Sequence, residues 1–145
     1  MNLPEYVTKE EVKRVCKEIG LSDWAEKTEP TVGNDEAAIV LGLVNSQSMD
    51  IPLESFRKGL EVELEHGTRF DDANVTNNHP ILTGKIVLAH LKETMDYYER
   101  IDVAEFEGDL LKAILSRNIN KIEVKYKNLI NAQKTLFQTV SDQLK

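Results

Sequence analysis

The sequence predicts an all-α protein: a compact bundle of about four to five helices with a long amphipathic C-terminal helix. Apolar residues recur at threes and fours through most of the 145 residues, the spacing that lines one side of a helix. Helix-start and helix-stop residues flank those runs. The one run rich in β-branched residues has no strand nearby to pair with.

Thr8-Lys9-Glu10-Glu11 is a capping box ahead of Val12, Val15, Cys16 and Ile19; Gly20 stops this first helix, and Trp24 is expected to pack beneath it. Pro30, Gly33 and Asn34 make residues 27–35 a loop. Glu36 to Asn45 suits a buried strand by its β-branched content and a buried helix by Ala37, Ala38, Leu41 and Leu43; without a strand partner it reads as helix. Asp50 and Pro52 open the next helix, which runs to His66 and ends at Gly67. At about 100° per residue, Leu53, Phe56, Leu60 and Leu64 share a face, with Arg57, Lys58, Glu61 and Glu65 turned away. Glu63 breaks the pattern by falling on the Phe56/Leu60 face.

Thr68 to Asn78 is a polar connection. Pro80 starts a long helix expected to continue through Tyr97 as far as Ala104, with Ile86, His90, Glu93 and Tyr97 on one stripe. Glu107 to Ser116 continues helically. Residues 118–145 form the last helix, with Ile119, Ile122, Tyr126, Leu129, Leu136, Phe137, Val140 and Leu144 at helical spacing. The chain reads as a single helical domain over residues 1–145.

Composition narrows the function. With 18 Lys and Arg against 25 Asp and Glu, the net charge is −7, which disfavours binding to a phosphate backbone. No apolar run approaches the roughly 18 residues of a membrane span. A lone Cys16 allows neither an internal disulfide nor a Cys-x-x-Cys motif. The start, Met1 to Tyr6, lacks the basic and apolar regions of a secretory signal, so a cytoplasmic protein is expected, and the sequon Asn74-Val75-Thr76 would be idle. Thr83-Gly84-Lys85-Ile86 resembles the end of a phosphate loop, but His79 and Ile86 stand where Gly and Ser or Thr are required.

Two short motifs carry the candidate chemistry. Glu63-Leu64-Glu65-His66 and His90-Leu91-Lys92-Glu93 each place a carboxylate and an imidazole three residues apart, neighbours on one helix surface. Glu-x-x-His is the spacing by which di-metal bundles aim two ligands at one ion. In antiparallel neighbours the reversed order would set His66 level with His90 and Glu63 level with Glu93. Glu63, His66, His90 and Glu93 are thus the candidate ligands of a divalent metal: zinc, iron or manganese. Metal-assisted hydrolysis or redox chemistry would follow, with Glu65 or Tyr97 assisting proton transfer. Glu18, Glu105, Glu107 and Glu123 are available to a second metal, but none is singled out by position. The bland readings are a surface Glu–His pair, a helix-capping role for His66 and His79, and core packing for Tyr97. The rival function is a non-enzymatic interaction module, of phage origin, whose C-terminal helix meets a second copy or a protein partner.

Lys17-Glu18-Ile19-Gly20, Asp23-Trp24, the stretch Phe56 to Gly67 with its VELEHG ending, Asn74 to Asn77, Thr83 to Glu93, and Asp96-Tyr97-Tyr98 occur in one order. Together they resemble a family of small bacterial, archaeal and viral proteins of unknown function over roughly residues 10–101. The resemblance implies that Glu63, Glu65, His66, Asn74, Thr76, Asn77, Lys85, His90, Glu93, Asp96 and Tyr97 fall on its motif positions. It implies no activity. Residues 28–51 look like an insertion, His79 replaces an expected acidic residue, Met95 replaces an expected Pro, and the C-terminal helix lies beyond the resemblance.

Overall fold

The structure, a computed structural model, describes residues 7–144; the reading of the first six residues lies outside it. Local chemistry sets the first helix, α1 (Lys9–Ile19). The Thr8 hydroxyl accepts the Glu11 N–H at 3.2 Å, and Gly20 ends the helix in the left-handed region at φ +78°. A 3₁₀ turn (Trp24–Glu26) seats Trp24 in the core with no exposed surface. Then follow α2 (Asn34–Val44), α3 (Leu53–Arg69), a second 3₁₀ turn (Asp71–Ala73), α4 (Pro80–Glu93), α5 (Tyr97–Leu115) and α6 (Ile119–Gln143). The described residues are helical with no strand, and the Glu36–Asn45 run is a helix.

Among the described residues six α-helices replace the expected four to five. The helix from Pro80 stops at Glu93, because Thr94 is extended (φ −159°, ψ 139°) and α5 restarts at Tyr97. The stripe expected through His90, Glu93, Tyr97 and Ala104 therefore belongs to two helices. α3, for its part, runs through Gly67 to Arg69 rather than ending there.

By its contacts the chain divides into two compact units, Met1–Met95 and Asp96–Lys145. In the first, α1 buries Val12 and Cys16, α2 buries Val40 and Val44, α3 buries Phe56, Leu60 and Leu64, and α4 buries Val87 and Leu91. Gly84 lets α2, α3 and α4 meet. A Cβ there would stand 2.5 Å from Val40 Cγ1, 3.3 Å from Val44 Cγ1 and 3.5 Å from the tip of Phe56. Thr83 and Gly84 thus lie within a packed helix, not in a phosphate loop. The second unit is the hairpin of α5 and α6, turned at Ser116–Asn118 with Arg117 left-handed (φ +52°) and Asn118 capping α6. Lys125 ties the two helices together by its 2.7 Å bond to Asp109. No helix among the described residues is long and apolar enough to cross a membrane.

Candidate functional site

Glu63 and His90 meet between α3 and α4. Their Oε1 and Nε2 are 3.6 Å apart, with the side chains 15% and 29% exposed. Each is drawn inward by its neighbours: Glu63 shares the Phe56/Leu60 face of α3, and His90 sits between buried Val87 and Leu91 on α4. The His90 Nδ1 is itself buried.

The reversed motifs predict His66 opposite His90 and Glu63 opposite Glu93. The structure instead sets carboxylate against imidazole across the two helices, and leaves His66 and Glu93 exposed. Among the described residues, no group of three or more His, Cys, Asp or Glu is gathered as a metal site. Two residues on one helix turn share a surface, but a second helix crossing that surface need meet only one of them.

Glu63 also forms part of the wall of an open cleft of about 310 Å³. His66, Phe70, Val75, Thr83 and Ile86 complete most of its lining. Phe70 and Val75 are exposed, and Thr83 is buried. Its remaining wall is the Asn/Thr connection, which is firmly built. Asn74 Nδ2 donates to Gly67 O at 3.2 Å and to Asn78 Oδ1 at 3.1 Å. The Asn78 N–H donates to Thr76 Oγ1, and Asn78 Nδ2 to Trp24 O. Asn77 Nδ2 donates to Val7 O at 2.6 Å. Asn77 and Asn78 are both left-handed, at φ +47° and +61°, a region asparagine tolerates better than most residues.

This network explains Gly67. A Cβ on it would lie 2.0 Å from Asn78 Oδ1 and 2.8 Å from Asn74 Nδ2, so the residue serves close approach and not helix termination. It also gives the sequon Asn74-Val75-Thr76 a structural role, since the Asn74 amide is committed to Gly67 and Asn78. His79 follows as the cap of α4. Its Nδ1 accepts from the Ile81 and Leu82 N–H groups at 3.2 and 3.4 Å, and burial pushes its imidazole below the ordinary value against the opposing pull of Glu11.

Glu65 and Tyr97 are the two assistants expected in proton transfer. Glu65 is half-buried, is ion-paired with Arg69 one turn on, and does not line the cleft. Tyr97 belongs to the second unit, where its ring meets Tyr98 edge-on at 5.2 Å. Asp96, also of that unit, is fully buried and takes a two-pronged bond from Arg100 at 3.0 and 2.7 Å. Of the spare carboxylates, Glu18 pairs with Arg14 and Glu123 with Lys127.

Sequence reasoning missed two other carboxylates. Glu36 accepts from the Ser22 N–H and hydroxyl, both at 2.7 Å, and from Trp24 Nε1 at 3.4 Å. Those bonds, with Lys27 at 3.7 Å, hold its carboxyl below the usual range although burial pushes the other way. Glu61 accepts from the Val32 N–H at 3.1 Å and Arg57 at 2.7 Å. Both are clamps on the region that looks like an insertion. In sequence Glu36 is only an acidic residue in a first helical turn, where the helix dipole is explanation enough.

No functionally curated protein and no solved structure matches the chain significantly. The profile of one family does, over residues 12–107, spanning α1 through the first half of α5 and including both Glu/His motifs. The chain belongs to that family, the proteins of unknown function grouped as DUF5661.

Proposed function

We propose that the cleft between α3 and α4 binds a small ligand and that Glu63 and His90 form its proton-transferring pair. The observation that carries this reading is the 3.6 Å approach of Glu63 to His90, with Glu63 on the cleft wall. The cleft is at the small end of the range of about 300–1,000 Å³ in which ligand sites fall. Its chemistry is mixed in the manner of such sites. Phe70, Val75 and Ile86 offer an apolar wall, while Glu63 offers a polar anchor. A ligand with an apolar body and an amine or hydroxyl group suits it. The carboxylate faces the ring across the two helices and orients it, which is how a carboxylate–imidazole pair supports general acid–base work.

A second reading keeps the divalent metal. Glu63 faces His90 across the helices and shares the cleft wall with His66. Zinc, iron or manganese held by Glu63, His66 and His90 would leave an open position for water or oxygen, the arrangement of metal-assisted hydrolysis or redox chemistry. It requires the exposed His66 to turn inward, and it dispenses with Glu93.

One pair of measurements tests both readings. Saturation-transfer NMR with a library of small amines, alcohols and carboxylates should yield ligands of the wild type that Glu63→Gln and His90→Ala lose and Glu93→Gln keeps. Ligands indifferent to Glu63, or none, overturn the first reading. Elemental mass spectrometry on tag-free protein, before and after reconstitution, decides the second. Bound metal that disappears in both His66→Ala and His90→Ala establishes it, and metal absent throughout removes it.

A further inference from the structure

The second unit carries more apolar surface than its hairpin uses. On α6, Leu129 and Ala132 are buried, with Ile122 and Leu136 half-buried beside them. A separate seam runs through Ile119, Tyr126, Ile130, Phe137 and Leu144, which are 79%, 55%, 42%, 74% and 83% exposed. Their spacing is seven, four, seven and seven residues. At about 100° per residue all five fall within about 20° of one line along the helix. That is the heptad repeat by which one helix packs along another. Periodicity alone merges the two stripes of this helix; burial separates them.

We infer that this seam pairs antiparallel with the same seam of a second copy of the chain. Three observations select that occupant. First, the seam is nearly palindromic about its midpoint. Reversed on itself, Ile119 meets Leu144, Tyr126 meets Phe137, and Ile130 meets Gln133, each contact occurring twice by symmetry, as a two-fold interface requires. Second, the parallel alternative is penalised. Glu123 and Gln133 are the polar positions of the seam, and in-register parallel pairing would put Glu123 against Glu123, whereas reversal sets it beside half-buried Val140. Third, the area suffices. The five side chains expose roughly 600 Å² per chain, about 1,200 Å² for a pair, which is the lower edge of the range for stable interfaces.

Sedimentation velocity on the full chain from about 1 to 100 µM should show a concentration-dependent dimer. Phe137→Glu and Ile130→Glu should each weaken it at least about 30-fold, the loss expected for a central interface residue. Circular dichroism should report unchanged helix content, since both side chains are exposed. Gln133→Leu should tighten the dimer, a gain that misfolding cannot imitate. Orientation is read by single cysteines: Ile130→Cys should cross-link between chains and Ile119→Cys should not. A wild type that stays monomeric at 100 µM overturns the inference. So does a dimer indifferent to Phe137→Glu, which would place the contact elsewhere, or cross-linking at both cysteines, which would make the pairing parallel. A seam that instead holds the chain's own first unit or a different protein would appear as a monomer in the same experiment.

Discussion

Phe56 and Phe137 are the same residue type on amphipathic helices of one chain, yet Phe56 has no exposed surface and Phe137 is 74% exposed. The first unit wraps α3 with α2 and α4, so its apolar face is consumed within the chain, and polar groups that share that face, Glu63 above all, are carried inward with it. The second unit is two helices only. A hairpin buries one stripe of each helix and has nothing to place over the next. Inward-facing polar groups therefore gather in the first unit and exposed apolar surface in the second, from the same sequence-level property.

Truncating both phenylalanines tests this division of roles most severely. Phe56→Ala should cost about 3–5 kcal/mol by loss of burial and an unfilled cavity, whereas Phe137→Ala should change monomer stability by no more than about 0.5 kcal/mol. Urea denaturation at low protein concentration checks both, and equal losses would refute the division.

Glycines give the next largest contrast. Gly67→Ala drives a methyl into Asn78 and Asn74, and Gly84→Ala drives one into Val40; each should destabilise by about 1–3 kcal/mol. At Gly108, inside α5, a methyl would meet nothing within 4 Å beyond its chain neighbours and the backbone of its own helix. Gly108→Ala should therefore stabilise by about 0.5–1 kcal/mol through helix propensity. Thermal melts should move down for the first two variants and up for the third.

The smallest effect is confined to pH. Burial depresses the His79 imidazole below its ordinary 6.5, and its Nδ1 is occupied as the acceptor of the α4 cap. The unfolded chain then takes up the proton first as pH falls. The stability this group contributes is whole above about pH 6.5 and is lost as pH drops through the lower folded value. His79→Asn keeps a capping acceptor without the titration. Its melting temperature should fall less than the wild type's between pH 7.5 and 5.5, and an equal fall would show that His79 is not the titrating cap.

Several elements are legible from local residues alone. Thr8, Gly20, Pro80 and Asn118 mark helix ends where they stand, because a cap is made by groups within a few residues of one another. The anomaly at Glu63 is visible as well, as a carboxylate in an apolar stripe. The misread positions share a different origin. Gly67 looks like a stop but answers to Asn74 and Asn78, which come back against it from beyond the helix. The break at Thr94 leaves the apolar spacing on either side intact, so periodicity passes over it. Glu63 and His66 are equivalent in sequence, and only the approach of α4 favours one of them.

Capping and 3.6-residue periodicity act over a turn or two of backbone, so the helices and the polarity of their faces follow from the order of residues. The meeting of polar side chains does not. That Glu63 faces His90 while His66 and Glu93 stay in solvent, and that one apolar stripe of α6 is covered by its own hairpin, are settled in three dimensions. Those outcomes depend on how helices distant in sequence cross, and a displacement of a single helical turn is enough to exchange one partner for another.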